Sequence, residues 1–394
     1  MNRLARKALL FAAGLLLLLF FTNNFGLIDI QKTAIVTAIG IDAAEGGRFD
    51  VTAQIAVPDA SGADTAGNVT VRATETVGGA VAELNRKTGW FPTLVHCSLI
   101  LLGENIAKQD VFRALDYFLR SEYVEDSCLV ALCEGSAADT LGANSPIGDL
   151  ASAAIEKVLS AEAQKTGLVC VTNLRDFAKG YFSEGKSGFL PRLSPLQQAK
   201  SEGGSGQSVG GQEGGGGKAG GGENVFDASR TALFARGRQV ALLETEETLA
   251  YNLAVSGTDM AYGDVRLQEG EEEVVYHLKM NIGKKSRRLR LQGGEPVLEF
   301  HIRARAQVVD ASKAGTRTEI AETAIVPDAV LRAAEARFEE ELCAAADKAH
   351  AGGCDLFALR QELHRFHPLE YEALQGNLLD AVRIACEIRF ETMR

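Results

Sequence analysis

The sequence predicts an α+β protein: an N-terminal membrane anchor, then mixed or antiparallel sheets with packed helices, in two lobes split by a Gly-rich linker. Three observations predict it. Phe49, Val51, Ala53, Ile55 and Val57 alternate with Asp50, Thr52 and Gln54, and Val382, Ile384, Cys386, Ile388 and Phe390 alternate without a break. Period two is the pattern of a strand with one buried face. Val330, Ala334, Phe338, Leu342 and Ala345 recur at helical spacing between Pro327 and Gly352-Gly353, as a long helix with one buried stripe requires. Helices and strands alternate elsewhere, but a tight hairpin is present, so a doubly wound parallel sheet is not expected.

Taken in order, Ala34–Asp42 (AIVTAIGID) reads as a buried strand, and Gly46-Gly47 turns it into the alternating strand that Pro58 ends. Residues 59–68 are small and polar and read as a loop. Val69–Glu75 is a strand and Thr76–Thr88 a short helix weakened by Gly78 and Gly79. Thr93–Leu102 (TLVHCSLILL) is a continuous apolar run of strand length; Ile106–Val124 is an amphipathic helix with Val111, Leu115, Phe118 and Leu119 inside. A short strand at Cys128–Cys133, a helical turn at Ala137–Leu141 and a helix carrying Ile155, Val158 and Leu159 follow. Asn173 can cap a helix beginning at Leu174. Residues 201–223 are mostly Gly, a composition that buries nothing, and they divide the body into 28–200 and 224–394. The second half opens with strands at Thr231–Phe234 and Val240–Leu243. Val274–Ile282, Ser286–Gln292 and Pro296–Val309 are three more, the last two joined at Gly293-Gly294. Asp355 caps a helix running to Phe366, and Pro368 stops it.

The first 24 residues read as the anchor. Arg3, Arg6 and Lys7 precede an unbroken apolar run, Ala8–Phe21, that ends in Leu15, Leu16, Leu17, Leu18, Leu19, Phe20 and Phe21. Its ten Leu and Phe residues favour insertion by roughly 3 to 6 kcal/mol, and the cations hold its start on the cytoplasmic side. The run is short for a span and suits a signal-peptide h-region as well. No small-residue cleavage site follows it, so an uncleaved signal anchor is expected, with cleavage the alternative. No Cys stands near enough to carry a lipid; the first is Cys97.

The chain has 394 residues, 46% of them hydrophobic, and a formal net charge of −11. An acidic body makes nucleic acid an unsuitable partner. Seven cysteines without CxxC spacing do not form a zinc or disulfide framework and read as small buried hydrophobes. Gly217-Lys218 is followed by Ala219, so the Gly-rich stretch is no phosphate loop. No cofactor is expected.

Four clusters invite chemistry. His364 and His367 with Glu362 and Glu370 share a helix end and read as a solvated terminus rather than a metal set. His96-Cys97 point to opposite faces if the run is a strand, so they cannot act as base and nucleophile. Glu271, Glu272 and Glu273 lack the alternating ligands of a Ca²⁺ loop. Lys284, Lys285, Arg287, Arg288 and Arg290 form the densest basic run. It is either a membrane or partner contact or the solvated face of an edge strand.

Several stretches together carry a resemblance. Ala34–Asp42 with Phe49–Pro58, His96–Gly103 leading to Tyr117-Phe118-Leu119-Arg120, and Cys133-Glu134-Gly135-Ser136-Ala137 are similar in order and content to the Ger(x)C family. So are Thr231-Ala232-Leu233-Phe234 with Arg238–Thr248, and Cys354–Phe357 leading to His367-Pro368. These are the C subunits of spore nutrient-germinant receptors. The resemblance implies a non-enzymatic subunit at the spore inner membrane, with A-type and B-type membrane subunits as partners. It also implies a lipid on a Cys followed by Trp; counting back from Ala34, Asn24 and Phe25 occupy those places, and Asn24 cannot form the thioether. A membrane-tethered module that binds a solute or cell-wall fragment is the alternative.

Overall fold

The computed structural model describes residues 11–16, 33–58, 64–145, 150–197, 224–270, 272–313, 316–317, 325–374 and 376–393. The first half supplies β1 (Thr33–Ala43), β2 (Phe49–Pro58), β3 (Asp64–Thr74), α1 (Val77–Thr88), β4 (Phe91–Thr93), β5 (Leu99–Leu102), α2 (Glu104–Ala107), α3 (Phe112–Arg120), β6 (Leu129–Cys133), α4 (Ala137–Gly142), α5 (Ala151–Val158), α6 (Ala161–Lys165), α7 (Leu174–Phe182) and β7 (Ser187–Gln197). The second half supplies β8 (Asn224–Ala235), β9 (Arg238–Leu243), α8 (Thr245–Val255), β10 (Met260–Glu269), β11 (Glu272–Gln292), β12 (Glu295–Lys313), β13 (Thr316–Arg317), α9 (Asp328–Ala351), α10 (Leu359–Phe366), α11 (Pro368–Leu374), α12 (Leu378–Ala381) and β14 (Arg383–Thr392).

Among the described residues there are two sheets. The larger has the order β3-β2-β1-β5-β6-β7-β8-β9, with β4 also paired to β1. Its centre, β1-β5-β6-β7, is parallel; its flanks are antiparallel. The central strands are buried on both faces, which is why LILL and LVALC carry no alternation. Ile100, Leu102, Val130 and Leu132 pack on one side with α1, α3 and α7. Leu99, Leu101, Ala131 and Cys133 pack on the other with α4 and α5. The second sheet, β10-β11-β12-β13 with β14 parallel to β12, buries one face only. Leu298, Phe300, Ile302 and Ala304 join the core under α8 and α9, while His301, Arg303 and Arg305 are exposed. Mixed α+β architecture is as the sequence predicts.

The boundary expected at the Gly-rich stretch falls between two paired strands. Residues 201–223 lie outside the described residues, but the strands beside them pair with one another, Gln197 opposite Asn224 and Ser187 opposite Ala235. The stretch therefore joins two neighbouring strands of one sheet. The passage from the first sheet to the second lies after β9, where α8 intervenes. Leu233 and Leu243 of the first sheet share a core with α9 and the second sheet.

Local chemistry explains the other departures. The apolar run 93–102 is not one strand: the Cys97 amide donates to the Leu94 carbonyl at 2.9 Å, closing a turn, and only Leu99–Leu102 continue. The helix expected over 106–124 is broken, because the Asp110 carboxylate accepts from the Phe112 amide at 3.0 Å and starts a second helix. Ile282 and Ser286 lie in a single 21-residue strand; Gly283 is absorbed as a bulge. Pro368 ends one helix and opens the next at its first position. Other expectations hold in detail. Thr76 accepts from the Gly79 amide at 3.1 Å and Asn173 from the Asp176 amide at 2.8 Å, each capping its helix. Asp355 accepts from the Leu359 and Arg360 amides at 2.7 and 2.9 Å.

Candidate functional site

Two polar constellations stand out. The first lies beyond the C-terminal ends of the parallel strands, where open sheets often take ligands. Asp42 ends β1, and its carboxylate accepts from Ser136 Oγ at 3.0 Å and from the Ala137 and Ala138 amides at 2.8 and 3.0 Å. It caps the first turn of α4 from a distant strand. A Cβ at Gly103 would run into that carboxylate, so glycine is required there. Glu134 accepts from Ser194 Oγ at 2.5 Å and pairs with Arg230 at 2.7 Å; Glu104 pairs with Arg192 at 3.4 Å. The Ser194 hydrogen bond, then Arg230 and Arg192, holds the Glu134 carboxyl below its usual range. These groups pair with one another, with Arg192 Nε left buried without a partner among the described residues, and work as a joint between strands, α2 and α4.

The second is a cavity of about 310 Å³ enclosed by α8, α9 and the edge hairpin β10–β11. Leu249, Val265, Met280, Ala334 and Phe338 make its apolar floor; Glu246, Asp264, Arg266, His277, Arg337 and Glu341 bring charge to it. Asp264 and His277 stand opposite each other in the antiparallel ladder, which sets Oδ1 and Nδ1 2.6 Å apart. The Tyr262 ring stacks on the same imidazole, centroids 5.8 Å apart, planes 9° apart. Arg337, Phe338 and Glu341 share one face of α9 by their spacing. The Arg337 guanidinium donates to the Asp264 carbonyl at 2.5 Å and pairs with Glu246 at 3.5 Å. Gly263 keeps the floor open: a Cβ there would meet the Met280 methyl at 3.3 Å. Among the described residues, Glu341 forms no hydrogen bond or ion pair. Burial raises its carboxyl above the usual range; Arg337 opposes the shift, and Glu246, Glu247 and Glu340 add to it. Asp264 and Glu246 are thus held by His277 and Arg337, while the Glu341 carboxyl faces the cavity without a paired cation among the described residues.

The structure disperses the basic run along β11. Arg287 pairs with Glu362 at 2.5 Å and donates to the Phe357 carbonyl at 2.7 Å, clamping the strand to the turn before α10. Lys285 donates to the Leu253 carbonyl at 3.3 Å and to that of Ser256; burial lowers its ammonium pKa. Arg290 pairs with Glu299 at 3.1 Å. Lys284 and Arg288 are exposed and have no hydrogen bond or ion pair among the described residues. His364 pairs with Glu184 and stacks on Tyr371 at 4.8 Å, and the described residues contain no metal-holding group of His, Cys, Asp and Glu. Cys97 is buried while His96 is exposed, separated by the turn that Leu94 and Cys97 close and not by a strand. All seven cysteines are free, and burial pushes the Cys133, Cys170 and Cys354 thiols up to about 12. Glu273 pairs with Arg266 at 3.5 Å; Glu271 lies outside the described residues.

Of the anchor, Leu15 and Leu16 fall in an exposed helix over 11–16. Arg3, Arg6, Lys7, Leu17, Leu18, Leu19, Phe20, Phe21 and Asn24 lie outside the described residues. Among the described residues no helix is long and apolar enough to cross a membrane. Sequence reading missed the cavity, because its residues come from four elements and a preceding segment, from Leu168 to Glu341. The one local signal was Arg337 and Glu341 flanking Phe338 on the inner side of the long helix.

Comparison with known proteins places these features. Residues 27–195 match the family profile described as the spore germination protein N-terminal domain. Residues 229–392 match the one described as spore germination B3/GerAC like, C-terminal. No curated protein matches the chain. The crystal structure of the GerBC protein is similar over 93% of this chain and the whole of that one, with a TM-score of 0.51 at 15% identity, a likeness of fold. The chain belongs to the Ger(x)C family of spore germination proteins, the C subunits of germinant receptors.

Proposed function

We propose that this protein is a non-enzymatic, membrane-anchored subunit that assembles with A-type and B-type receptor subunits at the spore inner membrane, or relays their signal. The family match over both halves carries this reading. The apolar run behind Arg3, Arg6 and Lys7 would fasten the chain, leaving the body extracytoplasmic. The polar joint around Asp42 and Glu134 supports a structural role, since both carboxylates are occupied by donors of neighbouring elements. Relay fits the shared core: α9 lines the cavity and ends against the first sheet, where Asp355 meets Ser187 at 2.8 Å. Lys284 and Arg288 are the part of the basic run left to meet a partner or a membrane. Replacing Leu16, Leu17 and Leu18 by Asp, each worth about 3 kcal/mol against insertion, should release the protein from the membrane fraction and slow nutrient-triggered germination. A membrane-bound variant with normal germination contradicts the proposal.

The cavity favours a second reading, a module that binds a small solute. An apolar floor with uncompensated carboxylate suits a compact organic cation. Equilibrium binding of simple amines to the protein separates the readings; saturable binding lost in Glu341→Gln supports the second.

A further inference from the structure

The protein has one tryptophan, Trp90, and it sits at the place where the chain leaves its N-terminal segment. Thr33, the first residue of β1, pairs in parallel with Phe91. Trp90, Phe91 and Val95 are 36%, 55% and 49% exposed, while Pro92, Leu94 and Cys97 between and beyond them are buried. The strip is thus fastened by Pro92, Leu94 and Cys97 and presents Trp90, Phe91 and Val95 outward. Its backbone is held as well. Gly89 takes a left-handed conformation that ends α1, Asn85 Nδ2 donates to the Trp90 carbonyl at 3.2 Å, and the Trp90 amide donates to Thr88 Oγ1 at 3.2 Å. An ordered, outward-facing aromatic strip needs an occupant.

The length of chain before Thr33 identifies one. Eleven residues separate Phe21 from Thr33, at most about 40 Å when extended, against a body roughly 50 Å across. The apolar run can therefore hold only the near end of the body to a bilayer, and Trp90–Val95 form that end. Tryptophan is the side chain best suited to the headgroup layer, with an apolar ring and one N–H donor. Nearby charge does not favour anionic lipid. Arg86 and Lys87 are paired with Glu83 at 3.1 and 3.7 Å, and Glu125 lies beside Val95 across a shallow groove. The contact must be apolar.

We propose that Trp90, Phe91 and Val95 bed in the headgroup layer of the membrane that holds the N-terminal run, fixing the orientation of the body on the bilayer. The proposal rests on the anchored reading above. The test uses the full chain reconstituted in phosphatidylcholine vesicles, with plain or brominated acyl chains, and reads the fluorescence of the sole tryptophan. The expected result is flotation with the vesicles, quenching by bromolipid and protection from aqueous iodide, as for a tryptophan seated at the headgroup level. Phe91→Glu, at an exposed position, should abolish both effects while Phe91→Leu keeps them. A chain that floats but whose tryptophan is quenched by iodide and not by bromolipid overturns the strip and leaves the anchor standing. A tryptophan shielded from both quenchers overturns the lipid contact in favour of a protein cover. A chain that does not float overturns the anchored reading and this one with it.

Discussion

The joint above the parallel strands and the cavity under α9 use the same residue types to opposite ends. In the joint, Asp42 meets three donors and Glu134 meets two, so each carboxylate is locked to a neighbouring element. In the cavity, Asp264 and Glu246 are paired, but Glu341 is left to burial and to other acids. A polar group with all its partners holds a fold together; one without them is held in readiness by the fold around it. Of the stretches that resemble the family, Ala34–Asp42, His96–Gly103 and Cys133–Ala137 meet at the joint, while Arg238–Thr248 reaches the cavity through Thr245 and Glu246.

Substitutions can break this contrast. Asp42→Ala should have the largest effect, about 3 kcal/mol of stability, because it strands three donors in a crowded turn; a urea midpoint close to the parent's would show that the joint is ornamental. Arg287→Glu should cost about 2 to 3 kcal/mol, since it breaks a half-buried pair and places two acids together. Arg288→Glu, next along the strand but exposed, should stay within about 0.5 kcal/mol. Equal losses in the two would refute the division of the basic run into a clamp and a free surface. Glu341→Gln should have the smallest effect on stability and the opposite sign. The folded carboxyl titrates above its unfolded value, so its favourable contribution is complete below the ordinary Glu range and is lost as pH rises through the raised pKa. The variant should be slightly more stable than the parent at neutral pH and should flatten that part of the pH profile. A destabilised Glu341→Gln would mean that the carboxylate has a partner after all.

What the sequence revealed follows from how many faces each element buries. β2 and β14 alternate clearly and were legible as strands. The long helix was legible because its stripe is flanked by Pro327 and Gly352. The central strands, buried on both faces, gave only apolar runs, and in 93–102 that run hid a turn. Glycine content marked a connection but not its topology: nothing in residues 201–223 says that Gln197 and Asn224 pair across it. Asp110 was overlooked as a cap inside an apparently continuous stripe. The cavity was illegible because Glu246, Asp264, His277 and Glu341 converge only after two helices and a hairpin have packed.

The central claim, that this chain works by touching membrane-embedded receptor subunits, is tested most directly by purifying the tagged full-length protein from spore inner membranes under mild detergent. The account predicts that the A-type and B-type receptor subunits accompany it in fixed proportion. Recovery of the intact chain alone, from the soluble fraction of spores that germinate normally, would contradict it.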